Sequence, residues 1–121
     1  MKHIEDKIQV GIVNLLRQNG FLVFSVPNGG QRSVITGAML KKTGALAGVS
    51  DLIIVLEGRV VFVEVKTPTG RQQDTQKIFQ EKVEHLGHRY EIWRSISDCA
   101  DFIKNEKKTK KAKKNYLQLK L

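Results

Sequence analysis

Residues 51–67 read DLIIVLEGRVVFVEVKT, two apolar runs rich in valine and isoleucine on either side of Glu57 and Gly58. Each run has the composition and length of a strand, and a two-residue connection that contains glycine favours a hairpin. In that hairpin Leu56 pairs with Arg59, and the same register places Asp51 directly opposite Glu64. The stretch therefore predicts two paired strands with two carboxylates facing each other.

Helix and strand patterns alternate along the rest of the chain. Ile4, Ile8, Ile12 and Leu16 recur at helical spacing and predict a helix over 3–19, ended by Gly20. The remaining patterns predict strands over 21–26 and 90–94, helices over 35–42 and 72–86, and a final helix capped by Ser97 that carries Ala100 and Ile103. This order predicts an α/β fold, a mixed sheet with helices packed against it.

The overall composition is that of one soluble globular domain. The chain has 121 residues, of which 40% are hydrophobic and 27% charged, and it contains two prolines. Its single cysteine, Cys99, cannot form an internal disulfide, so we expect an intracellular, reducing location such as the cytoplasm. We expect no membrane association, since no apolar run has the length of a membrane span.

Positive charge is concentrated at the C-terminal end. Residues 104–121 carry eight lysines and one glutamate, whereas the first 103 residues have a net charge of only +2. Such a segment favours a polyanionic partner, above all nucleic acid, although a solubilising terminal segment has the same composition. We divide the chain into a domain over 1–104 and a lysine-rich tail over 105–121. We expect frayed chain over 107–114 and a short strand over 116–121, where leucines alternate.

The predicted hairpin brings a lysine beside its two acids. Lys66 lies two residues after Glu64 and therefore shares its face. Two carboxylates about 5 Å apart repel each other by roughly 3 kcal/mol at an effective dielectric of 20, so a cation must compensate them. Lys66 would do so in a structural ion triad, and Mg²⁺ or Mn²⁺ would do so in a metal site with oxygen ligands. The spacing alone leaves both explanations open.

Two polar residues on neighbouring helices favour the metal site. Glu5 falls within the apolar stripe of the first helix rather than on its polar side. Gln76 similarly aligns with Phe79 and Val83 on the later helix. We expect both side chains to face the sheet that carries Asp51, so that they belong to one site.

These residues resemble a known nuclease signature. Ser50-Asp51 followed by Glu64-Val65-Lys66 resembles the PD-(D/E)xK motif, and the ordered features around it resemble the VRR-NUC (virus-type replication-repair nuclease) branch over about residues 4–104. The further matching features are Glu5, Asn28-Gly29-Gly30 with Arg32, Gly48-Val49-Ser50, Gly70, Gln76 and Gly87. Two positions depart from the pattern, since Ser50 replaces the usual proline and Gln73 stands where serine is common.

The resemblance implies a restriction-endonuclease-like fold and metal-dependent hydrolysis of phosphodiester bonds. Asp51 and Glu64 would hold Mg²⁺ or Mn²⁺ together with the backbone carbonyl of Val65. Glu5 would contact the metal through water. Lys66 would orient or deprotonate the attacking water, or stabilise charge on the phosphate, and Gln76 would position Lys66 or the substrate.

The expected substrate is DNA, in branched, flapped or four-way form, cleaved in replication, repair or recombination by a homodimer. The residues expected to contact DNA are Asn28, Arg32, Lys41, Lys42 and Arg71. Two other classes stay open at this point. One is a non-catalytic nucleic-acid-binding module whose Asp51, Glu64 and Lys66 form a structural ion network. The other is an interaction protein that recruits a partner through residues 107–121.

Overall fold

A computed structural model describes residues 2–27 and 34–120, and it confirms the predicted α/β class. Eight elements follow in the order α1 (Lys2–Gln18), β1 (Leu22–Ser25), α2 (Val34–Lys42), β2 (Leu52–Leu56), β3 (Arg59–Val65), α3 (Asp74–His85), β4 (Arg89–Trp93) and α4 (Ile96–Lys120). The strands form one mixed sheet in the order β1-β2-β3-β4. β1, β2 and β3 are antiparallel, whereas β4 runs parallel to β3 after the α3 crossover.

The hairpin forms in the predicted register. Leu52 pairs with Val63 and Leu56 with Arg59. Gly58 adopts a φ of +73°, which glycine tolerates without the steric cost of a Cβ atom, so the chain can turn within two residues.

The hydrophobic core fills one face of the sheet. Alternate residues of β2 and β3 point to α1 and α4, and the core residues are Ile12, Leu16, Val23, Leu52, Ile54, Val61, Val63, Val65, Trp93, Cys99, Phe102 and Ile103. α3 covers part of the other face, where the ring of Phe79 packs edge-on against Phe62 with centroids 5.4 Å apart. Because side chains alternate along β3, Glu64 lies on the same face as Phe62.

The C-terminal region differs from its prediction. α4 continues from Ile96 to Lys120, so the frayed segment over 107–114 and the strand over 116–121 were wrong as far as Lys120. The segment is rich in residues with high helix propensity, which are lysine, alanine, glutamine and leucine. A helix can therefore form there even though its apolar residues have no helical spacing. The predicted cap at Ser97 was also wrong, since the Ser95 hydroxyl accepts the hydrogen bond from the Asp98 backbone N–H at 3.3 Å.

Among the described residues, each helix is too short or too polar to cross a bilayer. α4 is long enough in residues, but its second half is rich in lysine.

Candidate metal and catalytic site

Asp51 is held at the start of β2 by bonds to the strands on both sides. Its backbone carbonyl accepts a hydrogen bond from Val26 N–H at 2.9 Å. Its carboxylate Oδ2 accepts another from Val65 N–H at 2.7 Å, across the β2–β3 pair. The second bond fixes the carboxylate beside Glu64, the neighbour of Val65 in β3.

Glu64 is a buried acid whose oxygens lack donors. Its side chain is 0% exposed, and within the described part of the chain neither Oε1 nor Oε2 has a hydrogen-bond partner. The pKa of Glu64 is raised to about 9, mainly by burial and in part by the negative charge of Asp51, while the positive charge of Lys66 opposes the rise. In the absence of an added cation, the Glu64 carboxyl group therefore stays protonated at neutral pH.

Lys66 follows β3 and is itself only 7% exposed. Its backbone N–H donates to the Trp93 carbonyl at 3.0 Å, which extends the pairing of β3 with β4. The salt bridges within residues 2–27 and 34–120 do not include one from Lys66 to Asp51 or Glu64. The ammonium therefore lowers the pKa of Glu64 through the field of its charge and not through a direct ion pair.

Glu5 reaches this cluster from the first turns of α1. Burial raises the pKa of Glu5, the charge of Lys66 lowers it, and the charges of Asp51 and Asp6 raise it. The charge of Glu5 in turn contributes to the raised pKa of Glu64. The prediction that Glu5 faces the site is consistent with this electrostatic coupling between Glu5 and Glu64. The described residues contain no set of three Asp, Glu, His or Cys side chains that forms a metal-binding group.

Gln76 lies in the first turn of α3, where its side-chain Oε1 accepts from the Gln73 backbone N–H at 2.8 Å. The helix start is pressed against the loop that precedes Asp51. Gly48 adopts a φ of +86°, and a Cβ there would lie 2.2 Å from the Thr75 carbonyl oxygen. This close approach brings the start of α3 to the site and explains the glycine at position 48.

Arg94 is a site-forming residue that the sequence analysis missed. Its guanidinium donates to the backbone carbonyls of Thr67 at 2.8 Å and Gly70 at 2.6 Å. Those bonds hold the loop after Lys66, and a Cβ at Gly70 would lie 3.6 Å from the Cδ of Lys66. Since β4 is parallel to β3, the residue after β4 reaches the same end of the sheet as Lys66, and no local sequence pattern indicated this contact.

The residues expected to contact DNA are spread over several segments. Lys41 and Lys42 are exposed in the last turn of α2, and Arg71 is exposed in the loop between Lys66 and α3. Asn28 and Arg32 lie outside the described residues.

The carboxylate pair fits a divalent cation of the Mg²⁺ type. Such ions prefer oxygen ligands, keep several waters and are bound through one or two protein carboxylates. Both Glu64 oxygens are free of hydrogen-bond donors among the described residues, and the Asp51 carboxylate beside them accepts the Val65 N–H bond through Oδ2. The chain therefore offers the acceptor atoms that such a cation requires, and the described salt bridges give neither Asp51 nor Glu64 a counter-charge in direct contact.

Comparisons with known proteins identify the fold and the family of this chain. The fold is similar to that of a solved VRR_NUC domain, with 20% identity, a TM-score of 0.61 and coverage of 83% of this chain and 94% of that one. It is also similar to a solved VRR_NUC domain protein, with 21% identity, a TM-score of 0.69 and coverage of 84% and 85%. Curated proteins provide no match. The VRR-NUC domain family matches residues 5–96, and the chain therefore belongs to this family of nuclease-type domains.

Proposed function

We propose that the chain is a metal-dependent endonuclease that hydrolyses DNA phosphodiester bonds at the cluster of Asp51, Glu64 and Lys66. The observation that carries the proposal is the pair of Glu64 oxygens, fully buried and without a hydrogen-bond donor among the described residues. A buried carboxylate with unmet acceptors costs stability unless a proton or cation accompanies it. Its neighbour is a second carboxylate, which makes a shared divalent cation the better compensation.

The proposed ligands are Asp51, Glu64 and the backbone carbonyl of Val65, with Glu5 acting through a water molecule. When bound, Mg²⁺ or Mn²⁺ supplies polarisation of a phosphoryl oxygen and a lower pKa for bound water. The hydrogen bond from Val65 N–H orients the Asp51 carboxylate for this role. The pairing of β2 with β3 keeps the two acids adjacent, so little reorganisation is needed on binding.

Lys66 is the proposed catalytic cation. Its ammonium is nearly buried and has no direct ion pair with the acids, so it is available to orient the attacking water or stabilise negative charge on the phosphate. Arg94 holds the following loop in place through Thr67 and Gly70. Gln76 is proposed to position Lys66 or the substrate from the start of α3.

The competing explanation is a non-catalytic module with a structural ion network. That network would require Lys66 to pair with at least one of the two acids at salt-bridge distance. The described salt bridges join Arg59 and Arg89 to Glu106 and Arg89 to Glu91, and they do not involve Asp51, Glu64 or Lys66. This distribution of ion pairs supports the nuclease over the structural network.

The finer parts of the proposal concern the substrate and the assembly. We propose a homodimer, because a 121-residue chain has little surface with which to hold a duplex alone. We propose branched, flapped or four-way DNA as its substrate, which is what the resemblance to stand-alone members of the family implies. Exposed Lys41, Lys42 and Arg71, together with Asn28 and Arg32, are the proposed DNA contacts. An intracellular, reducing setting is part of the proposal, since the single cysteine is free and buried.

Cleavage of labelled linear, nicked, flapped and four-way DNA, measured with Mn²⁺ and with EDTA, tests the proposal. We expect Mn²⁺-dependent products, most abundant on a branched substrate. Asp51→Asn is the matched variant, because it keeps the side-chain shape and removes the charge of a proposed ligand. Cleavage in EDTA, or equal cleavage by Asp51→Asn, would contradict the assignment of the site.

A further inference from the structure

The second half of α4 lies at the end of the molecule opposite the proposed catalytic cluster. Glu106 bonds to Arg59 at 2.7 Å and to Arg89 at 3.1 Å, the first residues of β3 and β4. Lys107 Nζ donates to the Asn19 side chain at 2.6 Å, just after α1 ends. Glu64, by contrast, lies near the last residue of β3. α4 has therefore run along the full length of the strands by residue 106.

The helix then continues beyond the sheet. Arg59 and Glu64 are separated by about 16 Å along β3, at roughly 3.3 Å per residue. The 14 residues from Glu106 to Lys120 add about 21 Å at roughly 1.5 Å per residue. Because α4 runs alongside the strands as far as Glu106, a straight continuation places its end on the order of 35 Å from Glu64, about one helical turn of duplex DNA.

This projecting segment, residues 107–120, is called the lysine helix below. It contains seven lysines and no acid, and the acid that precedes it, Glu106, is already paired with two arginines. Lys108 and Lys110 are exposed in the described part of its surface. The described salt bridges do not involve Lys107, Lys108 or Lys110, and the segment has no acid of its own, so it suits a partner with closely and regularly spaced negative charges. Duplex DNA carries one charge per about 1.7 Å of axis.

We propose that the lysine helix binds the phosphate backbone of a duplex arm about one turn away from the scissile phosphate, and does not act at the cleavage point. This inference rests on the proposed DNA substrate. The contribution of the lysine helix to DNA affinity then depends on the length of the duplex arm, because only a long arm extends as far as the lysine helix. Such contacts place the substrate without reading its sequence.

The test uses the full-length chain with Lys110, Lys111, Lys113 and Lys114 changed together to glutamine. The matched control changes the same four lysines to arginine, which keeps the charge, and both residues retain good helix propensity. Binding to branched DNA with arms of about 6 or about 24 base pairs is measured by fluorescence anisotropy in EDTA, where no cleavage occurs. The arm lengths bracket the roughly 10 base pairs of one turn.

We expect the glutamine variant to lose affinity for the long-armed DNA only. If all four lysines contact phosphates, the slope of log affinity against log salt should fall by about 3.6, which between 50 and 200 mM salt corresponds to roughly a 100-fold change in relative affinity. The arginine variant should match the wild type on both substrates.

Each other outcome overturns the proposal in a recognisable way. Equal losses on short and long arms would place the lysines beside the cleavage point. Unchanged binding on both would make the lysine helix inert toward DNA, and altered sedimentation without altered DNA binding would assign it to a protein contact. Wild-type cleavage accompanied by any of these results would leave the nuclease proposal intact, whereas a wild type that neither binds nor cleaves DNA would contradict both.

Discussion

The substitution Glu64→Gln removes a carboxyl group that the fold keeps protonated. Burial and Asp51 raise the pKa of Glu64 from 4.5 to about 9, so between these pH values the folded chain retains a proton that the unfolded chain releases. The unfolding free energy of the metal-free wild type therefore falls as pH rises, by about 1.4 kcal/mol per pH unit from this group. Below pH 4.5 both states are protonated and the contribution disappears.

Glutamine has nearly the same shape and carries no titrating group. At pH 7, about 2.5 units above the ordinary pKa, the metal-free variant should be more stable than the wild type by about 3 kcal/mol. For a chain of this size that difference corresponds to roughly 10 °C in Tm. At pH 4.5 the two proteins should melt close together.

Thermal melting in EDTA from pH 4.5 to 8.5 measures this difference directly. Glu81→Gln, which removes an exposed carboxylate on α3, is the matched control and should follow the wild type. Adding Mn²⁺ at pH 7 should raise the wild-type Tm and close the gap, because the cation compensates the ionised pair. A gap that does not change between pH 4.5 and pH 8.5 would refute the claim that the folded chain retains a proton on Glu64 that the unfolded chain releases.

Three further predictions concern the surroundings of the acids. Lys66→Ala should abolish most cleavage while keeping the Mn²⁺-dependent rise in Tm. Lys66→Arg should not restore the cleavage rate, because the guanidinium differs in shape and basicity from the ammonium. Loss of the Mn²⁺-dependent rise in Tm in Lys66→Ala would instead make Lys66 a structural residue. Arg94→Met should lower kcat by about 10- to 100-fold, because it releases the loop that follows Lys66, and DNA affinity in EDTA should not change. Arg94→Lys should have an intermediate kcat. An unchanged kcat in Arg94→Met would show that this loop does not contribute to catalysis. Gly48→Ala should cost about 1–3 kcal/mol more than Gly58→Ala in thermal unfolding, because both have positive φ but only Gly48 faces the Thr75 carbonyl; equal costs would contradict this packing.

The sequence predicted the hairpin and its acids because their signals are local. A two-residue connection at Glu57 and Gly58 leaves one register, and that register brings Asp51 beside Glu64. Helical periodicity predicted that Glu5 faces the cluster, and the electrostatic coupling of Glu5 to Glu64 is consistent with that prediction. The roles assigned to these residues stay predictions.

The contacts that sequence reasoning missed depend on topology or on weak local signals. Arg94 reaches the loop after Lys66 only because β4 lies parallel to β3, which the strand patterns alone do not specify. Ser95 and Ser97 are equally good caps by type, and the entry of the chain from β4 decides between them. The extension of α4 was missed because helix propensity in a lysine-rich segment produces no apolar pattern.

The central structural claim is that the two buried oxygens of Glu64 serve a divalent cation. Calorimetric titration of Mn²⁺ into the metal-free chain at pH 7, repeated in buffers of different ionisation enthalpy, measures both binding and proton release. We expect binding accompanied by the release of about one proton, since Glu64 must ionise to act as a ligand, and the released proton should be absent in Glu64→Gln. Absence of Mn²⁺ binding, or equal binding and proton release by Glu64→Gln, would contradict the account.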